Sequence, residues 1–254
     1  MTGPRKPGQF SWINMLTSDT AKARDFFAKL LGWTYHEIPG MGHIVQVDGK
    51  EVGGLWDINS PQTPPGAKPY IGVMVKVVSA DDTAAKAKAL GGDAKDPFDV
   101  MDQGRMAVLH DPASAEFDVW QERKGPGMSG DARRHGMPSW FELMTNDVEG
   151  GKKFYGGLFG WTTETTAMPM GFDYTTFKLG DDYVGGMMPI LPQMGPMKPH
   201  WGVYFSVDKV DETMALANSL GGQTMMPPMD IAHVGRLVGL VSPQGVGFFA
   251  ITNA

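Results

Sequence analysis

One pattern of apolar and polar positions occurs twice along the chain. Each copy opens with a short run in which apolar and polar residues alternate, at residues 10–16 and again at 140–144. Alternation with a period of two is typical of a β-strand with one buried face. An aspartate follows each run, Asp19 or Asp147, at the position of a helix N-cap. The pattern therefore predicts a strand followed by a helix at both places.

The helix in each copy is predicted to bury one face. Apolar residues recur there at spacings of three and four, as on one side of an α-helix, and a glycine follows the last of them (Gly32 or Gly160) as a C-cap. The predicted buried residues are Ala23, Phe26, Phe27, Leu30 and Leu31 in the first copy and Phe154, Tyr155, Leu158 and Phe159 in the second.

Shorter strand-like runs follow in the same order in both copies. A second helix, which ends in Leu-Gly-Gly at 90–92 or 220–222, lies between them. The predicted strands are 43–47, 51–57, 70–77, 105–109 and 117–121 in the first copy and 174–179, 183–188, 201–207, 236–241 and 247–251 in the second. Each copy thus holds two strand–helix–strands units, and the chain holds four.

Residue identities support a duplication of a whole domain. Residues 11–34 and 139–162 share nine of 24 positions, and residues 72–92 and 202–222 share ten of 21. A stretch rich in glycine and charge, without an apolar period, lies between the copies. We therefore predict one domain at residues 8–122, a linker at 123–136 and a second domain at 137–253.

Composition narrows the chemistry. The 254 residues contain no cysteine, which removes disulfides, thiolate metal ligands and cysteine nucleophiles. The net charge of −6 argues against a nucleic-acid surface. The N-terminus shows no apolar core of a signal peptide, and no run approaches the ~20 apolar residues of a membrane span. We therefore expect a cytoplasmic protein that contacts neither nucleic acid nor membrane.

The motifs resemble those of the vicinal oxygen chelate superfamily, which includes glyoxalases, bleomycin-resistance proteins and ring-cleaving dioxygenases. The resemblance rests on FFAKLLGW and its copy FYGGLFGW, on PHWGVYFSVDKVD and LGGQTMMPP, and on HDPASAEFDVWQ. It is closest to bacterial proteins with two tandem glyoxalase-like domains. It implies an α+β fold in which two βαβββ units of each domain form a cupped, barrel-like sheet around a pocket.

The resemblance also implies where a divalent metal would bind. The first-strand ligand position falls on Trp12 and Trp140, and the fifth-strand position falls on glycine in both domains. The last-strand position falls on Asp118 and Phe249. Only one of the three expected ligand positions of the first domain thus holds a carboxylate, and a single carboxylate makes a poor transition-metal site. We therefore expect no cofactor and no metal-ligating residues, although a divalent metal stays possible.

Strand parity gives the pocket lining. In the second domain Glu142, His200 and Tyr204 share the pocket face with Trp140, which is a candidate ligand contact. These three are the candidate catalytic residues, as base, acid and oxyanion donor. The alternative is that Glu142 and His200 lie solvated at the mouth.

The first-domain pocket face is predicted to bind the ligand through Trp12, Asn14, Met74, Asp118 and Trp120. Asp118 has an alternative structural role, in which it pairs with Arg105 or with the backbone.

Three further residues are candidate ligand contacts near strand ends. Arg105 and Arg236 each follow a glycine at a predicted strand start and are candidates to hold a ligand carboxylate or phosphate. An intramolecular salt bridge is the alternative for both. His233 is placed next to the pocket mouth of the second domain.

Two functional hypotheses from different classes follow. The first is a glyoxalase-like enzyme, a lyase, isomerase or hydroxylase-like tailoring enzyme, that acts on a small, partly apolar molecule by acid–base chemistry. The second is a protein that sequesters a small molecule without catalysis, as bleomycin-resistance proteins do. A metal-dependent glyoxalase or dioxygenase ranks third. The partner is a small molecule in each case, and the chain is expected as a monomer or a homodimer.

Overall fold

Two sheets of the same design, one per repeat, make up the fold. In a computed structural model, which describes residues 3–60, 63, 66–169 and 171–254, the strands and helices follow the order expected from the repeat. The first repeat contains β1 (Phe10–Thr17), α1 (Thr20–Leu31), β2 (Thr34–Ile38), β3 (Gly42–Val47), β4 (Lys50–Asp57), β5 (Tyr70–Val77), α2 (Ala80–Ala89), β6 (Asp93–Ala94), β7 (Phe98–Val100), β8 (Gly104–His110) and β9 (Glu116–Glu122). The second contains β10 (Pro138–Thr145), α3 (Val148–Phe159), β11 (Thr162–Ala167), β12 (Asp173–Leu179), β13 (Asp182–Pro189), β14 (His200–Ser206), α4 (Val210–Ser219), β15 (Gln223–Ile231), β16 (Gly235–Val241) and β17 (Gly247–Asn253), with a short 3-10 helix at Pro192–Met194.

Strand order confirms the predicted α+β architecture of tandem βαβββ pairs. The first sheet runs β2-β3-β4-β1-β5-β9-β8-β6, with β7 also on β8, and the second runs β11-β12-β13-β10-β14-β17-β16-β15. In each, the two units meet where their first strands pair antiparallel, β1 with β5 and β10 with β14. Each unit also closes on itself through a parallel pair, such as β1 with β4. The sheet curls, and its concave face forms a cup.

The predicted helix signals are confirmed by the backbone. The Asp19 carboxylate accepts from the Lys22 amide at 3.0 Å, and the Asp147 carboxylate accepts from the Gly150 amide at 2.8 Å. Gly32 and Gly160 adopt left-handed φ values of 66° and 73° as C-caps. A left-handed C-cap costs glycine little and other residues more, so both glycines end their helices where predicted.

The convex faces of the two sheets and their helices share one core. Phe10 of β1 stacks on Phe141 of β10 with ring centroids 4.1 Å apart. Phe117 of β9 lies 5.5 Å from Tyr155 of α3, also between ring centroids. Because each convex face is covered by the other repeat, the cups point away from this shared core. In the part of the chain that the structure describes, no helix has both the length and the apolar character needed to cross a membrane.

The segment at 123–136 is packed rather than loose. Met128 in it is fully buried, and its amide donates to the Ser11 carbonyl at 2.6 Å. Trp33 donates its indole N–H to the Gly136 carbonyl at 2.8 Å, and the repeat-equivalent Trp161 donates to the Gly8 carbonyl at 2.8 Å. The tryptophans of the two Gly-Trp motifs therefore each hold the chain that enters the other repeat's first strand.

Candidate functional site

A buried glutamate lies at the centre of the second-domain cup, which is the concave face of the sheet β11–β17. Glu142 of β10 is only 5% exposed. The Tyr204 hydroxyl on neighbouring β14 donates to its Oε1 at 2.8 Å, and the Tyr174 hydroxyl on β12 donates to its Oε2 at 2.8 Å. The Trp140 indole donates in turn to the Tyr174 hydroxyl at 2.8 Å. The four side chains form one continuous hydrogen-bonded chain.

Apolar surroundings perturb the ionisation of this group. Burial raises the pKa of the Glu142 carboxyl, and the hydrogen bonds from Tyr204 and Tyr174 lower it in part. Burial and the nearby carboxylate raise the pKa of both tyrosine hydroxyls well above the ordinary value. The two hydroxyls therefore keep their protons and act as donors to Glu142. The apolar side chains packed around the group include Met144, Met188, Leu237, Phe249 and Ile251.

A glycine explains how Tyr174 reaches Glu142. Gly186 of β13 pairs with Glu142 and lies between β12 and β10. A Cβ atom built on Gly186 would collide with the Tyr174 hydroxyl. Because Gly186 has no side chain, the Tyr174 phenol can extend across β13 to Glu142.

The structure brings two of the three predicted catalytic residues together. Glu142 and Tyr204 are hydrogen-bonded as described, whereas His200 lies at the start of β14, opposite Met144. The His200 ring is half-buried, and its Nδ1 donates to the Lys198 carbonyl at 2.9 Å. Tyr174, which was not predicted, takes the place expected for His200 beside Glu142.

A second polar group occupies the first-domain cup, the concave face of the sheet β2–β9. The Asn14 Nδ2 donates to the Asp118 Oδ2 at 3.2 Å, and the Trp56 indole donates to the Asn14 Oδ1 at 2.9 Å. The Trp56 bond fixes which way the Asn14 amide faces, since only Oδ1 accepts. Asn14 thus links the first strand to the last in this cup. Trp56 was not among the predicted residues.

Asp118 has an unusual environment for a carboxylate. Burial, together with the charge of the neighbouring Glu116, raises the pKa of Asp118 to about 7, although the Asn14 hydrogen bond lowers it in part. It does not pair with Arg105, the alternative considered from the sequence.

Glu116 is held by partners of its own. The Tyr70 hydroxyl donates to its Oε1 at 3.1 Å, and the His110 Nε2 lies 3.2 Å from its Oε2. The His110 contact is the main cause that lowers the pKa of Glu116 and raises the pKa of His110. Glu116 and Asp118 lie on the same face of β9, so the contact between His110 and Glu116 is next to Asp118.

The other predicted first-domain residues lie on the same concave face. Trp12 is half-buried and pairs with Met74, which is buried and pairs with Asp118 in turn. Trp120 is buried, and its indole donates to the Gly125 carbonyl at 2.9 Å. Trp120 therefore closes one end of the cup against the chain that follows β9.

The two arginines lie elsewhere, which corrects their prediction as pocket residues. The Arg105 Nε and Nη2 donate to Asp81 at 2.7 and 2.8 Å, and its Nη1 donates to Asp99 at 3.0 Å. Arg236 makes the equivalent bonds to Asp211 and Asp230. Asp81 and Asp211 lie in the first turns of α2 and α4, on the helix side of each sheet. Strand alternation points both arginines away from the cups, and the alternative of internal salt bridges describes them.

His233 is exposed in the turn between β15 and β16, where its φ of 63° is left-handed. Its position reflects the turn geometry, and no hydrogen bond among the described residues ties it to the Glu142 group.

The residues at the superfamily's ligand positions do not fit the usual metal. Trp12, Trp140 and two glycines offer no side-chain oxygen or imidazole nitrogen, which leaves Asp118 alone as a donor. Among the residues described, no three His, Asp or Glu side chains come together in a geometry able to hold a metal ion.

Comparison with known sequences agrees with this architecture. A family model described as "Glyoxalase-like domain" matches residues 12–120. The Mycobacterium bovis protein named "Putative glyoxylase CFP32" is 32% identical over 255 residues, covering 98% of this chain and 96% of that protein. The Streptomyces peucetius protein named "Anthracycline biosynthesis protein DnrV" is 31% identical over 263 residues, covering 96% and 93%.

Solved structures share the fold at low sequence identity. The Mn(II)-bound glyoxalase from Novosphingobium aromaticivorans superposes with a TM-score of 0.66 at 15% identity, covering 96% of this chain and 82% of that one. An extradiol ring-cleaving dioxygenase from B. fuscum superposes with a TM-score of 0.70 at 15% identity, covering 99% and 73%. With the repeated βαβββ topology and the full-length relatives, these results show that the chain belongs to the glyoxalase-like family of the vicinal oxygen chelate superfamily, as a member with two tandem domains.

Proposed function

We propose that the second-domain cup binds a small, largely apolar molecule and exchanges a proton with it through Tyr204 and Glu142. The observation that carries this proposal is the buried Glu142 carboxylate, which accepts one phenol hydrogen bond on each oxygen inside an apolar cup. Carboxyls with raised pKa values in apolar clefts are frequent general acids and bases. The proposal keeps the class expected from the sequence, a glyoxalase-like small-molecule enzyme without the usual metal.

The route of the proton follows from the hydrogen bonds. The Tyr174 hydroxyl accepts from Trp140 and donates to Glu142, so both of its roles are taken within the protein. The Tyr204 hydroxyl donates to Glu142 and accepts from no other described residue. A ligand X–H group would donate to the Tyr204 oxygen while the Tyr204 proton passes to Glu142 Oε1. The reverse transfer returns the proton, and no oxidant or reductant takes part.

The expected ligand is flat and mostly apolar. The Tyr204 ring stacks on Phe249 with centroids 4.4 Å apart, and methionines from three strands contact the same cluster. Flexible thioethers adapt to ligands of varied shape. DnrV is named for anthracycline biosynthesis and CFP32 as a glyoxylase. We therefore propose two probes: an anthracycline aglycone, which is flat and mostly apolar, and the hemithioacetal of methylglyoxal and glutathione, which is polar and tests a glyoxalase substrate.

Deuterium exchange at carbon tests the proposal. Each probe is incubated with protein in D2O, and loss of the proton next to its carbonyl is followed by NMR. The wild-type protein should accelerate exchange for one probe, and Glu142→Gln should slow that exchange by about 10²- to 10⁴-fold, the usual contribution of general acid–base catalysis. The matched control is Glu212→Gln, which changes an exposed glutamate of α4. Equal exchange rates for wild type and Glu142→Gln would refute the role of Glu142.

Sequestration without catalysis is the second candidate function. It is favoured by the fact that both Glu142 oxygens already have protein donors, as in a structural carboxylate. This function predicts that a probe binds with equal affinity to wild type and Glu142→Gln, while neither protein accelerates its exchange. Intrinsic tryptophan fluorescence measures the affinity in the same samples, so the two functions give different pairs of results.

A further inference from the structure

One carboxylate oxygen in the first-domain cup has no hydrogen-bond donor among the described residues. Asp118 is 9% exposed, and its Oδ2 accepts from Asn14. No described donor reaches its Oδ1. Asn14 cannot turn to serve both oxygens, because Trp56 holds its Oδ1. Asp118 Oδ1 is not one of the fully buried side-chain atoms that lack a partner among the described residues, so it is accessible from the cup. Its unused lone pairs are the part of the cup to which a ligand N–H would donate.

Gly72 leaves a side-chain position empty on the concave face opposite Asn14. It lies on β5, opposite Asn14 on β1 and next to the pair formed by Met74 and Asp118. A Cβ atom on Gly72 would lie 3.4 Å from the Tyr70 ring and 3.7 Å from the Asn14 carbonyl oxygen. This small recess lies between Tyr70 and Asn14, and the Asn14 amide links it to Asp118.

The charges around the recess favour a hydrogen-bond donor with positive charge. Glu116 and Asp118 project from the same face of β9, and one histidine, His110, partly offsets them. Lys95 acts on Asp118 only as a more distant charge, without a hydrogen bond in the described structure. Acceptors thus outnumber donors, and a cation would relieve the repulsion between the two carboxylates.

Aromatic surface extends from the recess toward the opening. Tyr70 is 37% exposed, Phe98 of β7 is 47% exposed, and Trp12 is half-buried on the concave face. Aromatic faces bind the apolar body of a ligand and attract cations near their centres. The cup therefore combines a carboxylate at its floor with aromatic side chains near its rim.

We propose that the first-domain cup binds an organic ammonium ion carried on an aromatic or other apolar body, with the N–H donating to Asp118 Oδ1. The second-domain cup lacks the same feature, since Phe249 replaces Asp118 at the paired position and both Glu142 oxygens are engaged. The two cups thus bind different classes of ligand. This site does not depend on the function proposed for the second domain.

Matched probes that differ only in charge test this site. Phenethylamine and 2-phenylethanol are titrated at pH 8 into the full-length protein with ¹⁵N-labelled tryptophan. The indole N–H signal of Trp56, which is bonded to Asn14, reports occupancy. We expect the ammonium to bind at least about tenfold more tightly than the alcohol, since charge-assisted hydrogen bonds are the stronger ones. Equal affinity, or no binding of either probe at millimolar concentration, would overturn the proposal.

An isosteric variant tests whether Asp118 causes the preference for the ammonium ion over the alcohol. Asp118→Asn keeps the size of the side chain and should reduce the preference for the ammonium to less than about threefold. Glu212→Gln removes one negative charge in α4 of the other domain and should leave the preference unchanged. A preference that persists in folded Asp118→Asn would show that the ammonium binds elsewhere. If Asp118→Asn does not fold, the comparison of the two probes on wild type still decides the question. A failure of the exchange experiment at Glu142 would leave these results unaffected.

Discussion

Asp118 should make the stability of the protein fall as the pH rises. Its carboxyl titrates near 3.8 in the unfolded chain and at about 7 in the folded protein, because burial disfavours the charged form. Between these values the folded state binds more protons than the unfolded state, so the free energy of unfolding decreases with pH. A difference of about 3 pKa units at 1.36 kcal/mol each corresponds to about 4 kcal/mol. This loss begins above pH 4 and is complete above pH 7.

The replacement Asp118→Asn removes this titration while keeping the shape of the side chain. We expect the free energy of unfolding of Asp118→Asn, relative to wild type, to increase by up to about 4 kcal/mol between pH 4 and pH 8. Urea denaturation followed by tryptophan fluorescence at each pH gives both free energies, and groups common to both proteins cancel in the difference. The control Asp96→Asn removes an exposed carboxylate of the same domain and should give a flat difference. A flat profile for Asp118→Asn as well would refute a buried carboxyl with a raised pKa.

Two further predictions concern the joint between the repeats. Trp161→Phe deletes the indole donor to the buried Gly8 carbonyl and should lower the free energy of unfolding by about 1–3 kcal/mol, measured by urea denaturation. Gly136→Ala should cost more than Gly160→Ala: both glycines have left-handed φ, but a Cβ on Gly136 would also collide with the Leu31 carbonyl, whereas Gly160 has open space. We expect about 1 kcal/mol for Gly160→Ala and several for Gly136→Ala, and equal melting temperatures would contradict the close approach at Gly136.

The strongest sequence signals came from strands that bury one or both faces. The strand at 70–77 was predicted with the bounds that the structure has, and the neighbouring strands agree within about two residues. The predicted buried face of α1 is the buried face observed. In these elements the periodicity, the capping residues and the repeat all indicate the same secondary structure, so local and tertiary preferences agree.

The strands that were missed lie at or near the sheet edges. Thr34–Ile38 and Thr162–Ala167 are mostly exposed, so their sequences carry no apolar alternation. Gln223–Ile231 contains Pro227 and Pro228 and was not predicted, since proline removes a ladder donor and is tolerated mainly at edges and bulges. Its register shifts between Thr224 and Met226 and again between Met226 and Met229, the interval that contains both prolines. Edge strands owe their conformation to pairing with a neighbour, which a single sequence does not display.

The site was predictable only where it depended on alternation along one strand. Tyr204 pairs with Trp140 and Glu142 pairs with Gly202, so strand parity placed Glu142 and Tyr204 as diagonal neighbours on the cup. Tyr174 could not be assigned in this way, because it reaches Glu142 across an intervening strand through the space over Gly186. His200 pairs with Met144, on the side of Glu142 away from Tyr204, and its ring bonds the Lys198 carbonyl instead of Glu142, which strand parity does not predict.

In both cups an aromatic donor bonds the polar residue of the first strand, but the two donors come from different strands. The sequence repeat therefore does not predict where the donor lies. In the first cup an aromatic donor on β4, Trp56, covers its own strand's Gly54 and bonds Asn14. In the second cup Tyr174 on β12 covers Gly186, the repeat equivalent of Gly54, and bonds Glu142. Each donor thus fills the space above a glycine and reaches the same position of the first strand. The glycine is shared by both copies, so the repeat retains the space, whereas the side chain that enters it comes from a different strand. Because the acceptor also changes from an amide to a carboxylate, the cups retain one backbone but differ in charge, which is why we assign them different ligands.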